Sequence, residues 1–252
     1  MRKLIVVLFL LFIATPCFAA GDLLIYSGAG LMKPMEKLRK NFEHQHSITI
    51  DVHYGGSGEI FGLLSMGKCC DVFIPGAEKY TMDALKNGWV EEKSIHKIVR
   101  HIPVIAVPKD NPANIEKLED LTKPGIKLAL GDTKACAIGK VGKKILKKNG
   151  IYEQVKKNAV VFGPTVNQLL IYVATGRVDG TIIWEDNVAW AEGKGKVKVI
   201  RIDEKKNLIK TIPTAVTTCS EHPELAHQFN QYISSQEGLA IWKEWGFEAC
   251  QE

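Results

Sequence analysis

The chain of 252 residues is 46% hydrophobic, 24% charged and 8% aromatic, a composition that excludes collagen-like, disordered and multi-pass membrane classes. Its formal charge is +5, but two of the 33 basic residues, Arg2 and Lys3, fall in the first three positions, and the remainder is close to neutral. That balance gives no electrostatic footprint for nucleic acid.

Residues 1–19 read as a signal peptide: Arg2 and Lys3 precede an apolar run over 4–13, and Cys17 and Ala19 stand at the small positions of a cleavage site. The run is shorter than the roughly 20 residues that span a bilayer, so a cleaved leader is expected rather than an anchor. Cys17 invites a lipoprotein reading, but Pro16 directly before it disfavours cleavage there. The mature protein is expected to be soluble and periplasmic.

Beyond the leader, β-rich runs occupy 23–26, 48–53, 71–74, 104–107, 128–130, 160–162, 181–184 and 197–202, with a further strand at 211–217. Helical spacing separates most of them. Leu31, Met35, Leu38 and Phe42 form one apolar stripe, with Pro34 tolerated in the first turn. Ile60, Leu63 and Leu64 mark a second helix, Val141, Ile145 and Leu146 a third, and Leu169, Leu170 and Val173 a fourth. Strands alternating with helices predict an α/β fold of mainly parallel sheets with right-handed crossovers. The polar turn near 109–112 and Ile212-Pro213 suggest two crossings between lobes, the first built from 20–103 and 213–252, the second from 104–212. Two lobes joined by two strands form a hinge.

Five cysteines remain after the leader, so at least one thiol has no partner in the chain. Cys219 with Cys250 is the favoured bridge, because it would tie the C-terminal tail to the end of the strand at 211–217. Adjacent Cys69 and Cys70 read as two half-buried thiols. No cysteine has zinc-site spacing.

One junction recurs: an apolar strand ends, a loop of small residues follows, and a helix begins at once. It occurs at Ser27-Gly28-Ala29-Gly30, at Gly55-Gly56-Ser57-Gly58, from Gly131-Asp132-Thr133 to Ala137-Ile138-Gly139, and at Gly163-Pro164-Thr165-Val166. Helix N-termini carry unpaired N–H groups and the positive end of the helix dipole, so a small loop there lets an anion approach closely. In open parallel sheets the C-terminal strand ends face the binding crevice, which would gather two such loops from each lobe around one cleft. Ser57 has two readings, as a helix cap or as a ligand contact.

Other constellations point elsewhere. Gly139-Lys140 lacks the glycine spacing and the following Ser or Thr of a nucleotide phosphate loop. Glu59 occupies the second glycine position of a nucleophile elbow around Ser57. Cys136 lies in the third loop and is a candidate nucleophile, although no histidine is implicated. His44 and His46 form a conceivable metal pair, against the plainer reading of a polar helix end. The lysines at 140, 143, 144, 147 and 148 read as a solvated helix face. Trp184-Glu185-Asp186 follows a β run and should place Trp184 in the cleft, with a neighbouring carboxylate that would repel a dianion unless it is turned away or coordinates a metal centre.

At these residues the sequence resembles the molybdate- and tungstate-binding proteins of ABC importers, receptors with the two-lobed type II periplasmic binding protein fold. The similarity rests on 27–31, on Gly55 to Gly58 followed by Cys70-Asp71-Val72-Phe73-Ile74-Pro75-Gly76, on 104–108, on Leu130-Gly131-Asp132 and on 241–247. The resemblance implies that the oxyanion is held by a first-loop serine, a second-loop serine, backbone amides of the third and fourth loops and a tyrosine hydroxyl. Ser57 matches the second serine, Ile138 the third-loop amide and Val166 the fourth. Gly30 stands where the first serine is expected, leaving its N–H and the nearby Ser27 hydroxyl, and Trp184 replaces the tyrosine with an indole N–H.

The expected function is therefore capture of molybdate, tungstate or a related oxyanion by a monomer that delivers it to a membrane permease, with no cofactor and no covalent chemistry. The only metal would be the centre of the oxyanion, with Glu185 as a candidate direct ligand. Two other readings stay open. One is a receptor for a metal cation or another anion that uses Glu185 or Asp186; the other is a secreted hydrolase that uses Cys136 or Ser57.

Overall fold

A computed structural model describes residues 21–250 except Lys134, Cys136 and Ala191. The leader and the candidate nucleophile Cys136 lie outside the described residues. In chain order the strands are β1 (Leu23–Gly28), β2 (Ile50–Gly55), β3 (Val72–Ile74), β4 (His96–His101), β5 (Pro103–Pro108), β6 (Leu128–Gly131), β7 (Ala159–Gly163), β8 (Gly180–Trp184), β9 (Val197–Arg201), β10 (Lys210–Val216) and β11 (Glu248–Ala249). The helices are α1 (Met32–His46), α2 (Ser57–Ser65), α3 (Glu78–Lys86), α4 (Ala137–Lys148), α5 (Tyr152–Lys157), α6 (Val166–Ala174), α7 (Pro223–Ser234) and α8 (Gln236–Glu244).

These elements build an α/β molecule around two mixed sheets. The first has the strand order β11-β4-β10-β3-β1-β2 and the second β7-β6-β8-β5-β9. The units with helical crossovers are parallel: β1 pairs with β2 and β3, and β6 with β7 and β8. Strands next to the passages between sheets run the other way. β10 is antiparallel to β3 and β4, and β5 is antiparallel to β8 and β9. The chain leaves the first sheet at Ile102, between β4 and β5, and returns between Arg201 and Lys210. A register shift interrupts the β4–β10 ladder at Ile212 and Pro213, while β10 stays in the first sheet.

Period-2 alternation in β1 explains how the first sheet is covered on both faces. Leu23 and Ile25 join Met35, Leu38 and Phe42 of α1, Phe229 of α7 and Trp242 of α8 in one core. Tyr26 turns the other way, toward Ile60 and Leu64 of α2 and Phe73. Each fully buried large apolar side chain contributes roughly 1.5–3 kcal/mol of transfer free energy. The second sheet is held by a separate core in which Val104, Ile105, Ala106 and Val107 of β5 are all buried, as befits a strand covered on both faces. Buried Asp71, in the motif before β3, accepts the Leu24 N–H at 2.7 Å and the Ser220 hydroxyl at 2.6 Å, so it pins β1 to the segment after β10.

The expected Cys219–Cys250 bridge does not form. Cys219 is bonded to Cys69, with a Cα–Cα distance of 5.8 Å, and Cys70 and Cys250 are free thiols. Strand register decides the pairing: Val72 of β3 lies opposite Val216 of β10, and each cysteine sits three residues beyond its member of that antiparallel pair. Cys250 lies beyond β4, where its N–H donates to the Ile98 carbonyl at 3.1 Å, so another strand separates it from β10. Burial pushes both the Cys70 and the Cys250 thiols above the usual cysteine range. Removing the bridge by Cys69→Ala should lower unfolding free energy by about 2–5 kcal/mol in urea titration, whereas Cys250→Ala should leave the midpoint nearly unchanged.

Candidate functional site

A cavity of about 230 Å³ opens between the two sheets, walled by loops from both. From the first half come the turn at Gly28–Leu31, the Gly55–Ser57 junction, Gly76 and His101; from the second come Ala137, Val166, Trp184, Asp186 and Asn187. All four strand-loop-helix junctions reach this one space. Ala29–Leu31 is a single 3-10 turn leading into α1, Ser57 is the first residue of α2, Ala137 the first of α4 and Val166 the first of α6. Among the described residues no lysine or arginine lines the cavity.

Close backbone packing sets these ends. A side chain at Gly28 would place its Cβ 3.0 Å from the Gly76 nitrogen, and one at Gly139 would lie 2.4 Å from the carbonyl oxygens of both Gly131 and Asp132. The start of α4 can therefore press against the end of β6 only because both positions are glycine. Thr165 caps α6 by accepting the Gln168 N–H at 3.3 Å.

The sequence-derived residues divide. Ser57 does not cap its helix: Gly56 is the N-cap, and the Glu59 carboxylate accepts the Gly56 N–H at 3.1 Å. Instead the Ser57 Oγ accepts the Gly76 N–H at 3.0 Å, which orients the oxygen and leaves the hydroxyl proton available to an anion. Gly30 lines the cavity with open space around its Cα. Val166 and Trp184 also line it.

Ser27 and Ile138 do not line it. Ser27 is fully buried within β1, where its hydroxyl faces the Gly28 carbonyl at 3.5 Å, so it stands behind the wall. The Ile138 side chain packs into the second core, and Ala137, one position earlier, takes the place in the wall. The expected contact of Ile138 is its backbone N–H, in the first turn of α4, which the placement of its side chain does not decide.

Glu185 is turned away. Its two carboxylate oxygens accept from Nε and an Nη of Arg201, each at 3.0 Å, and it borders an open groove of about 720 Å³ beside α8 and β11 rather than the cavity. The Arg201 guanidinium is held above its usual pKa range by that pairing. Asp186 faces the cavity and is only 3% exposed. Its Oδ1 lies 3.2 Å from His101 Nε2, and its Oδ2 accepts from Asn187 Nδ2 at 3.0 Å. The His101 ring stacks on Trp184 with centroids 3.7 Å apart and planes 22° apart.

Sequence reasoning missed His101 and Asn187. His101 ends β4, a strand with only two fully buried apolar residues, and nothing local marks it as part of a site. Of the histidine pair at the end of α1, His46 stacks on Phe42 with ring centroids 4.0 Å apart, and no cluster of three or more metal-ligating side chains occurs among the described residues.

A family model for bacterial extracellular solute-binding proteins matches residues 23–248. The chain belongs to that family. A Haemophilus influenzae protein named "Putative binding protein" is 31% identical over 247 residues, covering 98% of each chain. A molybdate-binding protein of Mycobacterium tuberculosis is 24% identical over 93% of this chain and 87% of its own. A solved structure from Clostridium difficile, titled as the substrate binding domain of a putative molybdenum ABC transporter, superimposes with a TM-score of 0.80 at 24% identity, covering 91% of this chain and 99% of that one. The fold is thus that of the type II periplasmic binding proteins. The family's role is to bind a solute for an ABC importer, not to transform it, and no helix among the described residues is long and apolar enough to cross a membrane.

The Gly131–Gly139 contact yields a direct test. Gly139→Ala should push α4 off β6, lowering the melting temperature by several degrees through overpacking of roughly 1–3 kcal/mol, whereas Gly30→Ala, in open space, should leave it within about 1 °C in differential scanning calorimetry.

Proposed function

We propose that this receptor captures a small tetrahedral oxyanion, molybdate, tungstate or a related one, between its two halves and hands it to a membrane permease. The observation that carries the reading is the convergence of four helix N-termini from both sheets on one cavity that, among the described residues, no lysine or arginine lines. Unpaired amides at helix starts offer hydrogen bonds and partial positive charge to an anion while staying neutral themselves. Donors held in fixed places read an anion's size and shape, and parting the two halves releases the solute.

In this reading the donors are the amides around Gly30, Ala137, Ile138 and Val166, the Ser57 hydroxyl and the Trp184 indole. The metal atom at the centre of such an anion is cargo; Glu185, paired with Arg201, takes no part in holding it. The leader at 1–19 sends the chain to the periplasm, where it works as a monomer without a cofactor. Its two lobes, expected at 20–103 with 213–252 and at 104–212, divide in the structure at Ile102 and between Arg201 and Lys210, and they close by bending at those two crossings. The molybdate-related names of the similar proteins support this choice of anion.

Isothermal titration with molybdate, tungstate, sulfate and phosphate tests the proposal. At least one should bind with micromolar or tighter affinity, and Ser57→Ala should weaken that binding by roughly 1–3 kcal/mol, since a desolvated charged acceptor loses a donor. A protein that is folded yet gives no heat with any of the four would sink the proposal.

A further inference from the structure

Beside the helix N-termini, the lining of the same cavity includes groups of the reverse kind. Asp186 and Asn187, 3% and 2% exposed, sit in the turn after β8 and both face the space. The Asn187 amide nitrogen is spent on Asp186, and its Oδ1 is buried with no hydrogen-bond partner. Each Asp186 oxygen has one neighbouring donor, His101 Nε2 or Asn187 Nδ2, and an ionised carboxylate oxygen accepts two. His101 Nδ1 is also buried without a partner. Among the described residues of the lining, His101 is the only side chain whose charge could offset Asp186.

Buried acceptors left without donors cost free energy, and the same atoms favour a ligand that supplies the missing hydrogens. A fully ionised tetrahedral dianion supplies none and meets the Asp186 carboxylate as a like charge. Resting on the oxyanion reading above, we infer that Asp186 and Asn187 make the cleft selective for an oxyanion that carries its own O–H group. The helix N-termini hold the ionised oxygens, and the hydroxyl donates to Asp186 or to Asn187 Oδ1. Two sources have that chemistry: a free oxyanion that is itself protonated at neutral pH, such as hydrogen phosphate, and a phosphorylated small molecule with hydroxyls on carbon. The discrimination is steep in principle, because a site that hydrogen-bonds a ligand hydroxyl leaves its own buried polar groups unpaired when the hydroxyl is missing.

Competitive titration at pH 8 tests this with inorganic phosphate, glycerol 3-phosphate, sulfate and molybdate against the full mature chain. One of the two hydroxyl-bearing ligands should bind at least tenfold more tightly than sulfate and molybdate, and which one does so identifies the source. Asp186→Asn, nearly isosteric, should shrink that ratio by tenfold or more by strengthening the ions without a proton and weakening the preferred ligand. Asn187→Ala, with folding checked by its melting curve, should shrink it in the same direction and keeps the inference open to refutation if Asp186→Asn does not fold. Sulfate or molybdate binding as tightly as both hydroxyl-bearing ligands, or a ratio unmoved in a folded variant, overturns this inference and leaves the oxyanion reading standing. Absence of binding by all four, and by tungstate as well, overturns both.

Discussion

Each helix that reaches the cleft does so with its amino end, where the first N–H groups have no acceptor within the helix. Amides of that kind take their partners from side chains, water or an anion, and the cavity gathers four such ends. The architecture serves this constraint. Parallel β-helix-β units aim every helix start at the same edge of a sheet, and facing two such edges brings donors from both. Where a junction must draw especially close, as between Gly131 and Gly139, the chain gives up side chains to allow it.

The polar residues around the cavity are tied into the same framework. Ser57 is oriented by an amide from the loop after β3, and Asp186 by His101, the residue just before the passage into the second sheet. His101 also stacks on Trp184 at the end of β8, so one imidazole joins the crossing point of the chain to the wall of the site. In the proposed capture of an oxyanion, that stack and that polar pair would couple binding to bending, the condition under which a ligand shifts a conformational equilibrium.

Much of this was legible in the sequence because it is local. The strand-loop-helix junctions announce themselves through apolar runs ending in glycine and serine, and each became a wall of the cavity. Nine expected strands formed near their expected positions. β4 escaped notice because His96, Lys97, Arg100 and His101 interrupt its apolar pattern, and β11 because two residues carry no periodicity. The parallel expectation holds within the crossover units and fails at β5 and β10, whose direction is set by the route between the sheets rather than by their composition. The cysteine pairing depended on antiparallel register between strands distant in sequence, and no spacing along the chain encodes that. His101 was hidden for the same reason: its role arises from Asp186 and Trp184, more than eighty residues away.

The Cys69–Cys219 bond has one more consequence. It welds together the two stretches of chain that share the first sheet, and the whole of the second half lies within the covalent ring it closes. A protease that cuts an exposed turn of the second half therefore opens a ring instead of producing two molecules. In an oxidising compartment such a nicked receptor keeps both fragments in one particle, with the first sheet still assembled, until a reductant separates them.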